Sequence, residues 1–536
     1  MINYMKIDFN TFKLFGPVNQ YKVFHGDEIE YTHDNNVSVT HTNSSELFIS
    51  GVLDVNNKII YGLSKQRKPY KMFKPFNKIF PPFLIPFQAK DKNFEPNKII
   101  VIKFSSWTDG FPYGEIINII GNLDPRTNPL EIAQLYAHGL LSYNGYTIKT
   151  IKTKIDLELF KHKFNETSPY HKLPTKDFDI ICNIDPLNCR DIDDVISYSK
   201  NRIGIHITDF IYVINLLDKN LINQKRFSTV YPSYDKPYNI IPDIIIENFL
   251  SLTPNDKRYA WSIYLNITDD NTVNNYEIIP EIIYNQMSYT YDEINIETQL
   301  NRLSEFCYYF GKLNYPNIFA AYENHLTNSH YIITLLMTTV NHIIGNLLNE
   351  DTSSIYRVCE EDSIAIYKKN DNVNKHSNIN INDYTHFTSP IRRFPDQYTH
   401  ARLYNYFFDD SLIEFDIKLE ELNQSLNEVK ILNNQFKLLS LVKTGSDIYN
   451  CKLYGYNYDR IESKLYLKWS VNTTDNKIMD VLVNPLIDYE DDRMCISNRL
   501  NDKKICFELN KDYNITIRFS ICRNMLNPRV VIDYFI

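Results

Sequence analysis

In the first 140 residues or so, apolar positions come in short runs separated by Asn, Gly, Pro and Asp. Glu46–Leu53, Ile59–Leu63 and Ile99–Phe104 read as strands divided by turns. Phe73–Pro86 holds four prolines, and this argues against both a helix and a central strand there. Proline fixes φ and lacks the donor that a ladder needs. Short strands at this spacing predict a small barrel.

Between about 170 and 445 the pattern mixes two periods. Ile203–Phe210 and Ala260–Ile267 read as strands, and Tyr331–Asn349 and Ile413–Leu441 as helices. In the second helix Phe415, Leu419, Leu422, Leu426, Val429, Leu432, Phe436 and Leu439 recur every three or four residues, the mark of an amphipathic core helix. Lys368–Asn382, rich in Asn, Lys and Asp, reads as an exposed loop. Beyond 446 come five strand-like runs, Cys451–Tyr454, Lys464–Trp469, Ile478–Val483, Tyr513–Ser520 and Arg529–Phe535, which suit a second small barrel. The class is therefore α+β, with a central mixed α/β domain flanked by small β-barrels. The pattern alone places breaks near 140–170 and 446.

Composition changes this picture little. The chain has 57 Lys and Arg against 65 Asp and Glu, a formal charge of −8. A nucleic-acid binder is usually basic, yet a clustered acidic site lowers net charge while a local basic groove remains. The eight cysteines are scattered without a CxxC pair, as expected of reduced thiols in a cytoplasmic protein, cellular or viral. No signal peptide and no run near the ~18 apolar residues of a membrane span is visible, so no membrane partner is expected.

Two segments carry chemistry. Ile184–Val195 reads I-D-P-L-N-C-R-D-I-D-D-V and packs Asp185, Asp191, Asp193 and Asp194 within ten residues. Carboxylates this close repel one another unless a cation joins them. Mg2+, a hard ion that shares its shell with phosphate oxygens, is the natural one, with Mn2+ as the alternative. The competing reading is a solvated acidic turn. An EF-hand is excluded, since the sixth loop position is not Gly and the twelfth is not Glu. Tyr384–His400 reads Y-T-H-F-T-S-P-I-R-R-F-P-D-Q-Y-T-H. Arg392 or Arg393 suits a phosphate held bidentately; the plain alternative is a surface ion pair, with His386 and His400 structural. A third stretch, Lys65, Arg67, Lys68, Tyr70, Lys71, Phe73 and Lys74, interleaves cations with aromatics. It suits a face that tracks phosphates and stacks bases, or simply a solvated loop.

Together the two segments resemble the ribonuclease II (RNB) family of exoribonucleases. Ile184–Val195 matches I-D-P-x-x-A-R-D-x-D-D-A with Cys189 and Val195 at the Ala places, and Tyr384–Asp396 matches Y-T-H-F-T-S-P-I-R-R-Y-x-D with Phe394 for Tyr. Gly204–Phe210, Thr229–Tyr231, Leu250–Leu252, Ser288–Glu293 and Asn341 resemble further family stretches. The resemblance implies an RNB catalytic domain over 146–445. It also implies a cold-shock OB domain at 46–145 including Trp107, a short first cold-shock segment at 1–45, and a C-terminal RNA-binding OB-fold at 446–536.

The implied activity is Mg2+-dependent, processive 3′-to-5′ hydrolysis of single-stranded RNA to 5′-nucleoside monophosphates. By carry-over, Asp185, Asp191, Asp193 and Asp194 hold the metal, and loss of Asp193 abolishes cleavage while binding survives. Arg392 stabilises the scissile phosphate. Tyr231 and Tyr291 stack on bases, and Arg393 and His386 are assigned to RNA contact. A monomer is expected, with an RNA-decay complex by analogy. Departures exist: Ser440–Gly445 lacks the acidic residue that members often carry, Thr334 and Leu335 replace an acidic pair, and Cys359 replaces a His. The alternative function is an inactive RNB protein that binds RNA or acts as a scaffold; a calcium-binding or interaction module explains neither segment.

Overall fold

The computed structural model describes most side chains within residues 22–123, 161–322 and 329–433. Around those stretches it describes only the backbone of paired strands and of the last helix. The chain divides into two compact units. One comprises residues 1–145, 231–236 and 431–536, the other 146–230 and 237–430.

In the first unit, β1 (Asn3–Lys6), β2 (Glu28–Tyr31) and β3 (Val37–His41) form an antiparallel sheet. Strands β4 (Phe48–Leu53), β5 (Tyr70–Pro75), β6 (Phe83–Pro86), β7 (Lys98–Ser106) and β8 (Tyr113–Asn122) close into a barrel in the order β4–β5–β6–β8–β7. Its core is Ile49, Leu53, Phe73, Phe83, Ile85, Ile100 and Ile102. Phe24 joins them, parallel to Phe83 at 6.0 Å and against Trp107 at 4.9 Å.

Two expectations are corrected here. Phe73–Pro86 does supply barrel strands. Pro75 and Pro86 sit at strand ends opposite Gly51 and Tyr70, while Pro81 and Pro82 lie in the connection, so no inner ladder donor is lost. Ile59–Leu63 is not a strand. Tyr61 N–H bonds to Tyr70 and Tyr70 N–H bonds back to Gly62, which folds the segment on itself and leaves Ile59, Ile60 and Leu63 more than half exposed. Phe73 faces the barrel core and Lys71 is buried on the Asn57 carbonyl. The cation–aromatic run is thus only partly a surface.

At the C-terminal end the five expected runs are strands Asp447–Asp459, Lys464–Asn472, Ile478–Val483, Asp512–Ser520 and Arg529–Asp533 of one antiparallel sheet. Ile487–Glu490, Arg493–Ser497 and Lys504–Phe507 form another.

In the second unit, six described strands form one sheet: β9 (Ile180–Asp185), β10 (Asp194–Ser199), β11 (Arg202–Thr208), β12 (Lys257–Ile267), β13 (Val273–Tyr284) and β14 (Met287–Thr290). Their order is β13–β12–β11–β10–β9–β14, antiparallel except for β14 on β9. Every residue of β11 is buried, so both faces are covered. Its polar His206 is satisfied by Ser197 and Ser262 at 2.8 and 2.7 Å.

The described helices include α1 (Phe210–Leu216), α2 (Asn301–Asn314), α3 (Pro316–Ala321), α4 (Ser329–Leu347), α5 (Phe394–Phe408) and α6 (Leu419–Thr444), with a short helical turn at Asp243–Ile245 running into a π-helical stretch at Ile246–Leu250. α4 lies within two residues of expectation at each end. α6 begins six residues later than its apolar stripe suggested. Glu420 and Glu421 favour a helix N-terminus there, and Phe415 packs on Phe394 ahead of it. Leu422, Val429 and Leu432 of the stripe are buried, while the side chains of Phe436 and Leu439 lie outside the described residues. Lys368–Asn382 is not simply a loop. β15 (Ile355–Val358) pairs with β16 (Ile366–Lys369), and Lys375–His376 pairs with Ile381–Asn382.

Candidate functional site

β9 ends at Asp185 and β10 starts at Asp194, so the acidic segment is the connection between two paired strands. The turn passes through Asn188 in the left-handed region, at φ 63°. Asn tolerates that region better than most residues. Three bonds pin the connection: Ile192 N–H to Ser251 Oγ at 3.1 Å, Leu252 N–H to the Ile192 carbonyl, and Thr208 N–H to the Asp193 carbonyl, both 3.0 Å.

The arginine segment lies directly against it. Asp193 is almost fully buried. Its Oδ1 accepts the Ile391 N–H at 2.8 Å and its Oδ2 accepts Arg392 Nε at 3.3 Å. Arg392 Nη2 donates to Ser389 Oγ at 2.9 Å. Arg393 donates instead to buried Asp396 at 2.7 Å, and the same carboxylate oxygen takes the Ser389 N–H. The two arginines are therefore not equivalent: Arg392 bonds to the acidic segment, and Arg393 to its own neighbour Asp396.

The rest of the segment is held by its neighbours. Phe387 N–H donates to Asn341 Oδ1 from α4, Gln397 donates to the Pro390 carbonyl, and Thr229 N–H donates to the Arg392 carbonyl.

Electrostatics fit a crowded acidic site. Burial, then repulsion from Asp185, pushes the Asp194 carboxyl up to about 7, with Arg392 and Arg393 opposing. Asp185 is raised by burial and by Asp191, against a hydrogen bond from Asn183 Nδ2 at 2.9 Å. Asp193 is raised well above the usual range by burial, against Arg392.

Tyr291 belongs to the same neighbourhood. Burial and the charges of Asp194 and Asp185 push its hydroxyl up, and its ring stacks on His330 at 3.8 Å. His386 bonds to the Tyr367 hydroxyl, and burial with nearby Arg393 and Arg357 holds its ring neutral. It therefore brings no cation to the site. His400 is buried and bonds to the Phe387 carbonyl at 2.9 Å, a structural part. Tyr231 falls in the first unit, exposed, with its N–H on Asn433 Oδ1 at 3.0 Å.

Sequence reasoning passed over several supporting residues. Asn183, whose Nδ2 also contacts Ser288 at 3.0 Å, fixes Asp185. Asp396 and Gln397 stood inside the second segment and were open to notice there. Asp209 was not. It caps α1 through the Tyr212 N–H and accepts from His171 at 2.8 Å and Tyr404 at 2.6 Å. Only the fold brings those residues together.

The donor chemistry suits a hard divalent cation, since Asp185, Asp191 and Asp194 are oxygen donors whose mutual repulsion a cation would relieve. Asp193 by contrast has both oxygens engaged by Ile391 and Arg392. Among the described residues, no three His, Cys, Asp or Glu side chains already converge on one point as an ion would draw them.

Comparison with known proteins gives three findings. The family described as "RNB domain" matches residues 176–305 and 363–409. Ribonuclease R of Chlamydia pneumoniae is 25% identical, over 42% of this chain and 47% of that one; the chain thus matches about half the length of such curated relatives. Among solved structures, Mycoplasma genitalium RNase R in complex with ribose methylated single-stranded RNA shares the fold. Its TM-score is 0.64 at 14% identity, over 97% of this chain and 96% of that one. Yeast Ssd1, a pseudonuclease, shares it with a TM-score of 0.57 at 13% identity, over 96% and 92%.

Proposed function

Because the chain carries an RNB domain and is homologous to ribonuclease R and the DIS3-like exonucleases, we propose that it is a Mg2+-dependent, processive 3′-to-5′ exoribonuclease. It would hydrolyse single-stranded RNA to 5′-nucleoside monophosphates. The observation that carries this reading is the pairing of Asp193 with Arg392 across 199 positions of sequence. A binding protein needs no buried carboxylate crowded by two others and met by an arginine; phosphodiester hydrolysis uses both.

Asp185, Asp191 and Asp194 would hold the ion, with Asp193 as the fourth acidic neighbour. A bound divalent cation supplies charge neutralisation and a water of lowered pKa. The chain's own groups do the rest. Arg392, half exposed beside the acidic segment, would turn its guanidinium to a phosphate oxygen and oppose the negative charge that grows there. The Ile391 N–H and Arg392 hold Asp193 in one orientation. Tyr291, braced by His330, offers a ring for a base to stack on. RNA-over-DNA preference would come from 2′-hydroxyl contacts.

A second reading, RNA binding without cleavage, draws support from the fold being shared with a pseudonuclease. A gel of 5′-labelled unstructured RNA decides between them. With Mg2+, a ladder descending to a short product is expected, absent with EDTA and with Asp193→Asn. Intact RNA that still shifts on a native gel would establish the second reading.

A further inference from the structure

Burying a charge costs free energy unless a counter-charge or hydrogen bonds accompany it. Five of the partly or fully buried arginines among the described residues obey that rule. Arg202 pairs with Glu277, Arg258 with Asp256, Arg392 with Asp193, Arg393 with Asp396 and Arg402 with Asp351, all at 2.6 to 3.3 Å. Arg357 does not. It is half buried on β15, and among the described residues no carboxylate meets its guanidinium. What it has is the face of Tyr367, with Cζ 4.8 Å from the ring centroid.

Its position adds meaning. The Arg357 N–H donates to the Tyr384 carbonyl at 2.7 Å, so β15 runs beside the arginine segment. Tyr367, under the guanidinium, bonds through its hydroxyl to His386 of that segment. His376 packs edge-on to Tyr384 at 5.6 Å, and its Nδ1 is buried without a partner. Arg393 Nε is likewise buried without an acceptor. Arg393 lies near enough to act on the charge of Arg357, and Arg357 near enough to act on that of His376. The nearby carboxylate, Asp396, takes Arg393 and the Ser389 N–H on Oδ1, while its Oδ2 is buried without a hydrogen-bond partner. Of the charges in this corner, that of Arg357 has no paired carboxylate among the described residues, and the corner adjoins Arg392.

We propose that Arg357, with Arg393 Nε and the His376 ring beside it, forms a second phosphate-binding subsite, next to the phosphate held by Arg392. The recognised chemistry is a phosphate oxyanion, carried by the RNA backbone or by a released nucleotide. A guanidinium fork held over an aromatic ring is restrained for bidentate contact with such a group. The inference rests on the reading that this site handles RNA, but its test does not require cleavage.

The first arm uses the wild-type chain. Phenylglyoxal modifies unpaired guanidinium groups, and peptide mapping reports Arg357 separately. Inorganic phosphate, 5′-AMP and a short oligoribonucleotide should each protect it. The second arm measures oligoribonucleotide affinity against salt in the Asp193→Asn chain, with and without Arg357→Gln. One lost charged contact should weaken binding roughly 10- to 100-fold and flatten the logarithmic salt slope by about one. A merely structural role would leave that slope unchanged. Arg357→Lys should keep the slope while losing affinity, and it guards against a Gln variant that folds badly.

Protection by phosphate and 5′-AMP with RNA binding unaltered by Arg357→Gln assigns the subsite to the released nucleotide. Protection by oligoribonucleotide with a flattened slope assigns it to the RNA chain. No protection by any of the three, with the slope intact, overturns the proposal even if the protein cuts RNA. Protection in a protein that cuts nothing would sustain the subsite while the exonuclease reading fails.

Discussion

At the scale of single residues, the central fact is that Asp193 and Asp194, neighbours in sequence, have opposite surroundings. Asp193 is bound to Ile391 and Arg392; Asp194 is crowded by Asp185. Asp193→Asn should abolish cleavage and leave RNA affinity near wild type, read by the labelled-RNA gel beside a native-gel titration. Arg392→Ala should lower kcat by roughly 10²–10³ with little change in binding, the usual loss for one transition-state charge contact; single-turnover kinetics would show it.

For Asp194 the sign follows from its direction. Its folded pKa, about 7, lies above the ordinary 3.8. Between those values the folded chain keeps a proton that the unfolded chain has released. Its contribution to stability is therefore full below about 3.8 and is lost as pH rises towards 7. The metal-free Tm should fall across that window more in the wild type than in Asp194→Asn. Metal ligands must be deprotonated, so the rise in Tm on adding Mg2+ should grow over the same window. The acidic cluster was legible as residues, but its division of labour was not. Which carboxylate meets an arginine depends on a partner almost two hundred positions away.

At the scale of elements, the arginine segment owes its course to its supports. Asn341 of α4 accepts the Phe387 N–H at 2.8 Å and donates to the Tyr384 hydroxyl at 3.2 Å. Asn341→Ala should cost ~1–3 kcal/mol, the cost of stranding a buried donor, measurable by urea unfolding, and it should slow cleavage. In the barrel, a Cβ at position 51 would stand 2.3 Å from the Lys74 carbonyl oxygen, where β4 meets β5. Gly51→Ala should therefore destabilise by about 1–3 kcal/mol through overpacking, again read by urea unfolding. Helix α4 and the buried part of the α6 stripe were legible, because apolar spacing at a period of 3.6 reports a buried face. The start of α6 was not, since Phe415 continues the stripe while packing from a non-helical segment. Nor was the inward turn of Phe73, because cation–aromatic alternation does not say which side of a strand meets a barrel interior.

At the scale of the whole molecule, the chain is two compact units with separate cores. Calorimetry should resolve more than one transition, since units with their own cores unfold as units. Mg2+ should raise only the transition of the unit holding the acidic cluster, and a uniform rise would argue against a site confined there. The sequence by itself carried the likeness to the RNB family. Its two long segments are local strings, and the donors they carry are chemical facts that need no fold. It also determined where long periodic helices lie, because their signal is local. Tertiary structure alone decided that Arg392, not Arg393, bonds to Asp193, and that Arg357 meets no carboxylate among the described residues. It alone joined Asp209 to His171 and Tyr404 in one buried network. Each of these is a pairing across many residues, fixed by which strands and helices pack together, and spacing along one chain does not encode it.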